Sequence, residues 1–501
     1  MARPMTCPAA ADAAFLPTPM SAGPPSSALP GAPSVRLLLA LAMPMVLARA
    51  TQSVISFADA YQVKHLGPDA LVATATGGLN VFGLVILPMG LVFIVQSFVA
   101  QLVGKGDRDA TPRFAWYGLV VAAVAGVVAL AALPLIEPLL GLTDFTPPVQ
   151  EMMGGYMAIR LTSVAAIVGM EALGNWYGGL GNTYMQMVAG IIAMVVNVFL
   201  NWVLIGGHLG APTMGVEGAA LASSLASWAG FAFLAIAFWR RWGGAPRGAR
   251  PLGRRPDRDG RSTEAANLEG SQPLTWREFR RVVRFGLPNG LNWFLEFGAF
   301  QMFINVVFAD LGTASTAAFN AVIAINSLSF MPAFGLASAG AILAAQSIGR
   351  GARDQVWPQL RITLVCTLGW MGAIGLVYLV VPAQLLGLFA QESEAGAAMV
   401  AVGTGMLALS AAWQLFDAVA MTFAETLRSA GDTRWTMAAR LVLAWALFFP
   451  ASYLVVVVGG AGPLAAMGCL VGYLVVLAIA FVLRFRSGAW KHIELIEPTL
   501  V

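Results

Sequence analysis

The sequence predicts an all-α polytopic membrane protein, with twelve transmembrane helices arranged as two parallel six-helix repeats. Three observations predict it. Of 501 residues, 58% are hydrophobic and only 11% are charged, where a soluble domain carries about 25% charged residues. Apolar runs of roughly 20 residues or more recur along the chain, the length a helix needs to cross a bilayer while satisfying its own backbone. The first six runs also match the last six.

Residues 1–33 are rich in Pro, Ala and Ser and lack the continuous apolar core of a signal peptide. They read as a disordered cytoplasmic tail. An N-terminal six-helix bundle is predicted over 34–241, with spans at 35–61, 70–99, 114–137, 152–176, 184–206 and 215–240. A basic linker, 242–273, follows. Its "RRWGGAPRGARPLGRRPDRDGRS" has no apolar periodicity. It reads as a cytoplasmic connection rather than a nucleic-acid or anionic-lipid patch, because arginine density alone specifies neither. The C-terminal bundle, 274–487, holds spans at 277–309, 315–346, 358–382, 396–426, 435–458 and 463–484, before a cytoplasmic tail at 488–501. The longer spans must tilt, bend or protrude.

Positive charge orients the spans. Lys105, Arg108 and Arg113 follow the second span, Arg350 and Arg353 the eighth, Arg428 and Arg434 the tenth, and Arg484, Arg486 and Lys491 the last. The alternate loops "EPLLGLTDFTPPVQE" and "AQESEAG" contain no Lys or Arg. Both termini are therefore expected in the cytoplasm. Cys7, Cys366 and Cys469 are too scattered for a disulfide framework. The preference for Arg over Lys points to a GC-rich bacterial genome; a bacterial cytoplasmic (inner) membrane is the expected location.

The repeat is visible in short matches. "AQLVGKGDRDA" recurs as "AQSIGRGARDQ", and "GLGNT" ending at Thr183 recurs as "SAGDT" ending at Thr433. Pro44 and Pro88 match Pro288 and Pro332 at an offset of 244. Six spans per half bring each half back to the side it started from, so the repeats are parallel. Transporters built from repeats place their site near the midplane and rock one half against the other. A proline removes one helical hydrogen bond, which suits a bundle that changes shape.

Few charges lie inside the spans, and each costs at least a few kcal/mol unless paired or hydrated. The acids are Asp59, Glu171, Glu296 and Asp417; the arginines are Arg49, Arg160 and Arg440. Glu296 lies twelve residues past Arg284, and Asp417 eleven before Arg428. Both should therefore stand about 17–18 Å above a cytoplasmic arginine. Two acids at one depth can share a cation or a proton. At the repeat offset, Glu296 takes the place of Gln52. Asp59 belongs to the outer part of the first span. Asn197 and Asn201, four apart, share a helix face; with Ser223 and Asp59 they would form an oxygen-rich cluster for a hard cation or proton. The alternative for each acid is a structural pairing with an arginine, and for the amides, interhelical glue. The many Met and Phe residues face lipid or core, and some should line a substrate cavity.

These features together ("LAMPMVLARATQSVISFADAYQVKHLG", "VAQLVGKGDRDA", "NVFLNWVLIGG", "MGVEGAALASS", "FGLPNGLNWFLEF" and "FDAVAMTFAETLRSAGDT") resemble the multidrug and toxic compound extrusion (MATE) transporters across about residues 34–487. The resemblance implies a V-shaped pair of bundles. It implies an antiporter, not an enzyme, that expels organic, often cationic or amphipathic, compounds against Na+ or H+. Glu296 and Asp417 fall on the NorM-type acids, which makes Na+ at this pair an expectation. Asp59, Asn197 and Asn201 fall on an N-terminal polar site similar to that of the DinF-like and archaeal branches. Gln52, Ser223 and Trp413 are expected to support cavity or coupling. Trp413 replaces a tyrosine of the NorM-type pattern, and an indole offers no oxygen to a cation. Arg49 stands where the family usually has an uncharged residue.

The resemblance implies no cofactor beyond the coupling ion, small organic substrates, the bilayer as the other partner, no nucleic acid, and a monomer. A flippase for a lipid-linked oligosaccharide or polyprenyl carrier is the alternative within the superfamily. An intramembrane enzyme lacks a motif such as H-E-x-x-H, and a passive channel lacks repeated filter segments.

Overall fold

The computed structural model describes residues 34–242, 274–390 and 393–496. The expected N-terminal tail, nearly all of the basic linker, Cys7 and residues 497–501 lie outside the described residues. Twelve membrane-length units are present: α1 (Val35–Leu66), α2 (Pro68–Lys105), α3 (Thr111–Ala131), α4 (Pro147–Leu161 with Val164–Gly179), α5 (Tyr184–Gly206), α6 (Gly215–Arg240), α7 (Trp276–Phe308), α8 (Thr313–Gly349), α9 (Arg353–Val380), α10 (Glu394–Ser429), α11 (Thr433–Val458) and α12 (Pro463–Arg486). Each predicted span has its helix.

The departures from straight spans have local causes. α4 bends by 47° at its middle. There the Thr162 and Ser163 hydroxyls donate back to the Ile159 and Arg160 carbonyls, at 2.6 and 2.7 Å. Such back-bonding competes with the helix ladder and bends it. α2 loosens at Phe93–Ile94, five residues after Pro88. α7 closes with a π-helical stretch, Phe303–Phe308, and α11 contains two, Leu443–Phe448 and Leu454–Val458. π-turns rotate the helix face beyond them and occur often at functional sites.

The repeat is a packing fact. Gly106 and Gly351 end α2 and α8 in the same left-handed conformation, φ +89° and +78°, which glycine adopts without steric cost. The preceding glycines, Gly104 and Gly349, let α2 and α8 cross at backbone distance. A Cβ on Gly104 would lie 2.1 Å from the Gln346 carbonyl oxygen, and one on Gly349 would lie 1.9 Å from that of Gln101. The matched residues contact one another reciprocally, as a two-fold axis along the membrane normal requires. α8 is 72% buried along its most apolar stretch, against 22–50% for the other single helices. It is the central helix, packed on its own half and on α1 and α2 of the other.

The halves are fastened at the end that carries the basic loops. Asn289 donates to the Gly90 carbonyl at 2.6 Å, Gln96 to the Ser338 hydroxyl at 3.2 Å and Gln101 to the Ser429 carbonyl at 2.7 Å. Arg428 donates to the Ser97 hydroxyl at 3.0 Å and stacks 4.2 Å over the Phe93 ring, while pairing with Glu425 on its own helix. The expected tail from 488 is packed for its first residues. Leu495 is buried among Phe98, Phe114 and Val282, and Arg281 donates to the Leu495 carbonyl at 2.7 Å.

Gly349→Ala should wedge this end open, because the clash is with backbone and not with a flexible side chain. In a cysteine-free background, a cysteine at the fully buried Ser338 is expected to react with a maleimide at least several-fold faster in the Gly349→Ala protein. An unchanged labelling rate would show that the glycine crossing does not set the closure.

Candidate functional site

The N-terminal half gathers its predicted polar residues into one cluster. Asp59 comes from α1, Asn197 and Asn201 from one face of α5, and Ser223 from α6. The Asn197 and Asn201 amides donate to Asp59 Oδ1, at 3.1 and 2.5 Å. Ser223 donates to Asp59 Oδ2 at 3.2 Å. Asn197 also donates to the Ser223 hydroxyl at 3.0 Å. Both asparagines are fully buried, and Asn201 Oδ1 has no hydrogen-bond partner. Arg160, from the first part of α4, is close enough to act on Asp59 electrostatically. Such a cluster holds the carboxylate among donors and leaves one amide oxygen open.

Nearer the centre of the molecule, Arg49 of α1 bridges to Glu171 of α4 at 3.0 Å. Asn175 donates to the same carboxylate oxygen at 3.0 Å. The Arg49 guanidinium also faces the Phe334 ring of α8 at 5.5 Å. Two charges without an assigned partner in the sequence are thus each other's partner.

In the C-terminal half the pairing differs from the expectation of two acids sharing a cation. Glu296 of α7 forms an ion pair with Arg440 of α11. Arg440 is held over the Phe481 ring of α12, 5.5 Å from its centre. Asp417 of α10 makes no ion-pair contact among the described residues, but lies within electrostatic range of both Arg440 and Glu296, with Trp413 one turn away facing its carboxylate. Tyr473 of α12 joins the group electrostatically, and its buried hydroxyl has no hydrogen-bond partner. Asn292, one turn before Glu296, has a buried side-chain oxygen without a partner and lines a crevice with Glu296, Arg440 and Trp445. Gln52 is exposed on α1 and joins neither cluster.

A second C-terminal network was not singled out from sequence. Gln414 of α10 donates to Asn326 of α8 and accepts from Ser329 at 2.8 Å, while Asn326 donates to the Ser410 hydroxyl at 3.2 Å. All four side chains are buried. The signal available was Asn326, Ser329, Ser410 and Gln414 at helical spacing inside apolar spans.

The comparisons with known proteins can be set beside this geometry. The MatE family model matches residues 44–203 and 291–454, one block in each half. A probable multidrug resistance protein NorM of Thermotoga maritima is 23% identical over 91% of this chain and 92% of its own. The multidrug resistance protein PmpM of Pseudomonas aeruginosa is 27% identical over 83% of each chain. Among solved structures, a multidrug resistance MATE family transporter in an outward-facing conformation superposes with a TM-score of 0.77, at 21% identity, covering 91% of this chain and 96% of that one. A MATE structure in a straight conformation gives 0.78 at 19% identity, covering 91% and 97%. Both show a shared fold.

Removing one member of a buried ion pair strands the other. Glu171→Gln is expected to destabilise the detergent-purified protein by about 3 kcal/mol, the low end for a buried pair, because Arg49 keeps 17% exposure. Adding Arg49→Gln should restore much of the loss. A double variant no more stable than Glu171→Gln in thermal unfolding would mean that the pair does not hold α1 to α4.

Proposed function

Because the chain belongs to the MatE family, we propose that it is a secondary active efflux antiporter. It expels organic, often cationic or amphipathic, compounds in exchange for Na+ or H+, by alternating access. It works as a monomer in the bacterial cytoplasmic membrane, with both termini in the cytoplasm and no nucleic-acid partner. The observation that carries this reading is the placement of carboxylates. Each half of a parallel repeat holds acid-centred clusters at membrane depth, around Asp59 and Glu171 in one and around Glu296 and Asp417 in the other. Intramembrane acids mark ion and substrate pathways.

Alternating access needs a seam that opens. The hydrogen bonds that fasten the halves lie toward the end with the basic loops. With that end in the cytoplasm, these bonds close the seam on the inner side. Substrate would be released in this state, and the coupling ion would enter. The names of the relatives, multidrug resistance proteins, support a broad substrate range. A flippase for a lipid-linked sugar calls for a cationic cavity. Here four intramembrane acids stand against three arginines, which favours efflux of cations.

Dye efflux from proteoliposomes, with a sodium or a proton gradient imposed separately, tests the reading. Gradient-driven efflux is expected from the wild-type protein. Glu296→Gln and Asp417→Asn should abolish it at normal expression, and Asp59→Asn should slow it severalfold or more. Wild-type rates in either C-terminal variant would remove that half from coupling. No gradient-driven efflux of any organic cation from the wild type would sink the antiporter reading itself.

A further inference from the structure

We propose that the C-terminal carboxylate site carries its own counter-cation, the Arg440 guanidinium paired with Glu296, and therefore excludes sodium. The proposal deepens the antiporter reading and rests on it for the role of the site. The geometry stands apart from it.

The residues present do not fit sodium. A small hard cation needs several oxygen ligands at close range. Glu296 is already bridged by Arg440. Beside Asp417 stands Trp413, whose indole N–H donates and cannot ligate. An ion placed between the two acids would also meet the guanidinium as a like charge. That guanidinium keeps its charge in a protein. The Phe481 ring lies under it, Tyr473 faces it, and both belong to α12.

The repeat shows that the fold does not require this pair. The offset that matches Thr183 to Thr433 sets Gly190 opposite Arg440, and the proline offset sets Gln52 opposite Glu296. In the N-terminal half the corresponding helices, α1 and α5, also pack here, but Gly190 lies against Thr51, the neighbour of Gln52. Acid and arginine are absent together in one half and present together in the other. The π-helical stretches of the described chain fall on α7 and α11 alone, the two helices that supply the pair.

The test is radiolabelled sodium binding to the purified, detergent-solubilised protein. Wild type and Glu296→Gln should bind the same amount of sodium, because the C-terminal site takes none. Arg440→Gln should gain about one sodium per chain, lost again in Arg440→Gln/Glu296→Gln, while Arg440→Lys should gain none. Sodium bound by wild type and lost on Glu296→Gln overturns the proposal, whatever the folding of the arginine variants. So does a monodisperse Arg440→Gln protein that gains no sodium. Failure of dye efflux would sink the antiporter reading and leave the sodium result standing.

Discussion

A charge at membrane depth must find its partner inside the protein, because lipid supplies none. The arrangement of this molecule follows from that constraint. Arg49 and Glu171 lie 122 residues apart and meet between α1 and α4; Glu296 and Arg440 lie 144 apart and meet between α7 and α11. Asp59 has three side-chain donors and Arg160 nearby. Each pairing fixes which helices are neighbours and which faces they turn inward. After the pairing, Asp417 is left without an ion pair among the described residues, and Asn201, Asn292 and Tyr473 keep buried oxygens without hydrogen-bond partners.

The two halves share a backbone and differ in their charges. The glycines and prolines that shape the helices match across the repeat, and Gly104 and Gly349 cross reciprocally. The polar clusters do not match. Asp59 corresponds to Phe303 at the proline offset, and Phe303 is buried in the C-terminal core. Glu296 corresponds to the exposed Gln52. Packing is constrained by symmetry because both halves must close on one axis. The ion chemistry is not so constrained, so each half could place its acid at a different depth and surround it differently.

Twelve spans were legible because length and hydropathy are properties of a single segment. The Asp59 cluster was legible because depth and a shared helix face brought four residues to one place. Arg440 was visible as an intramembrane arginine, but its pairing was not. Which residue of α11 faces α7 depends on the rotation of both helices about their axes, and that rotation is set by packing between helices. The Asn326–Gln414 network was missed for the same reason. The bend of α4 was missed because Thr162 and Ser163 are ordinary helix residues until their hydroxyls turn back on the ladder. Arg49 was an anomaly in sequence and became half of a pair in space.

The placement of these pairs also bears on how the halves could part. Arg49–Glu171 and Glu296–Arg440 each lie within one half, and so does the Asp59 cluster. Rocking the halves apart breaks none of them. The seam is made of other things: close glycine backbones, a few hydrogen bonds, and Arg428, whose ion pair with Glu425 is internal to α10. Opening the seam costs Arg428 its bonds to Ser97 and the Phe93 carbonyl and leaves its charge paired. The ion pair that does cross, Arg113–Glu278, is at the foot of α7 with side chains 17% and 28% exposed, where such a pair contributes little. Because the buried charge that crosses the seam, Arg428, keeps its carboxylate partner on its own helix, the seam can open at modest cost.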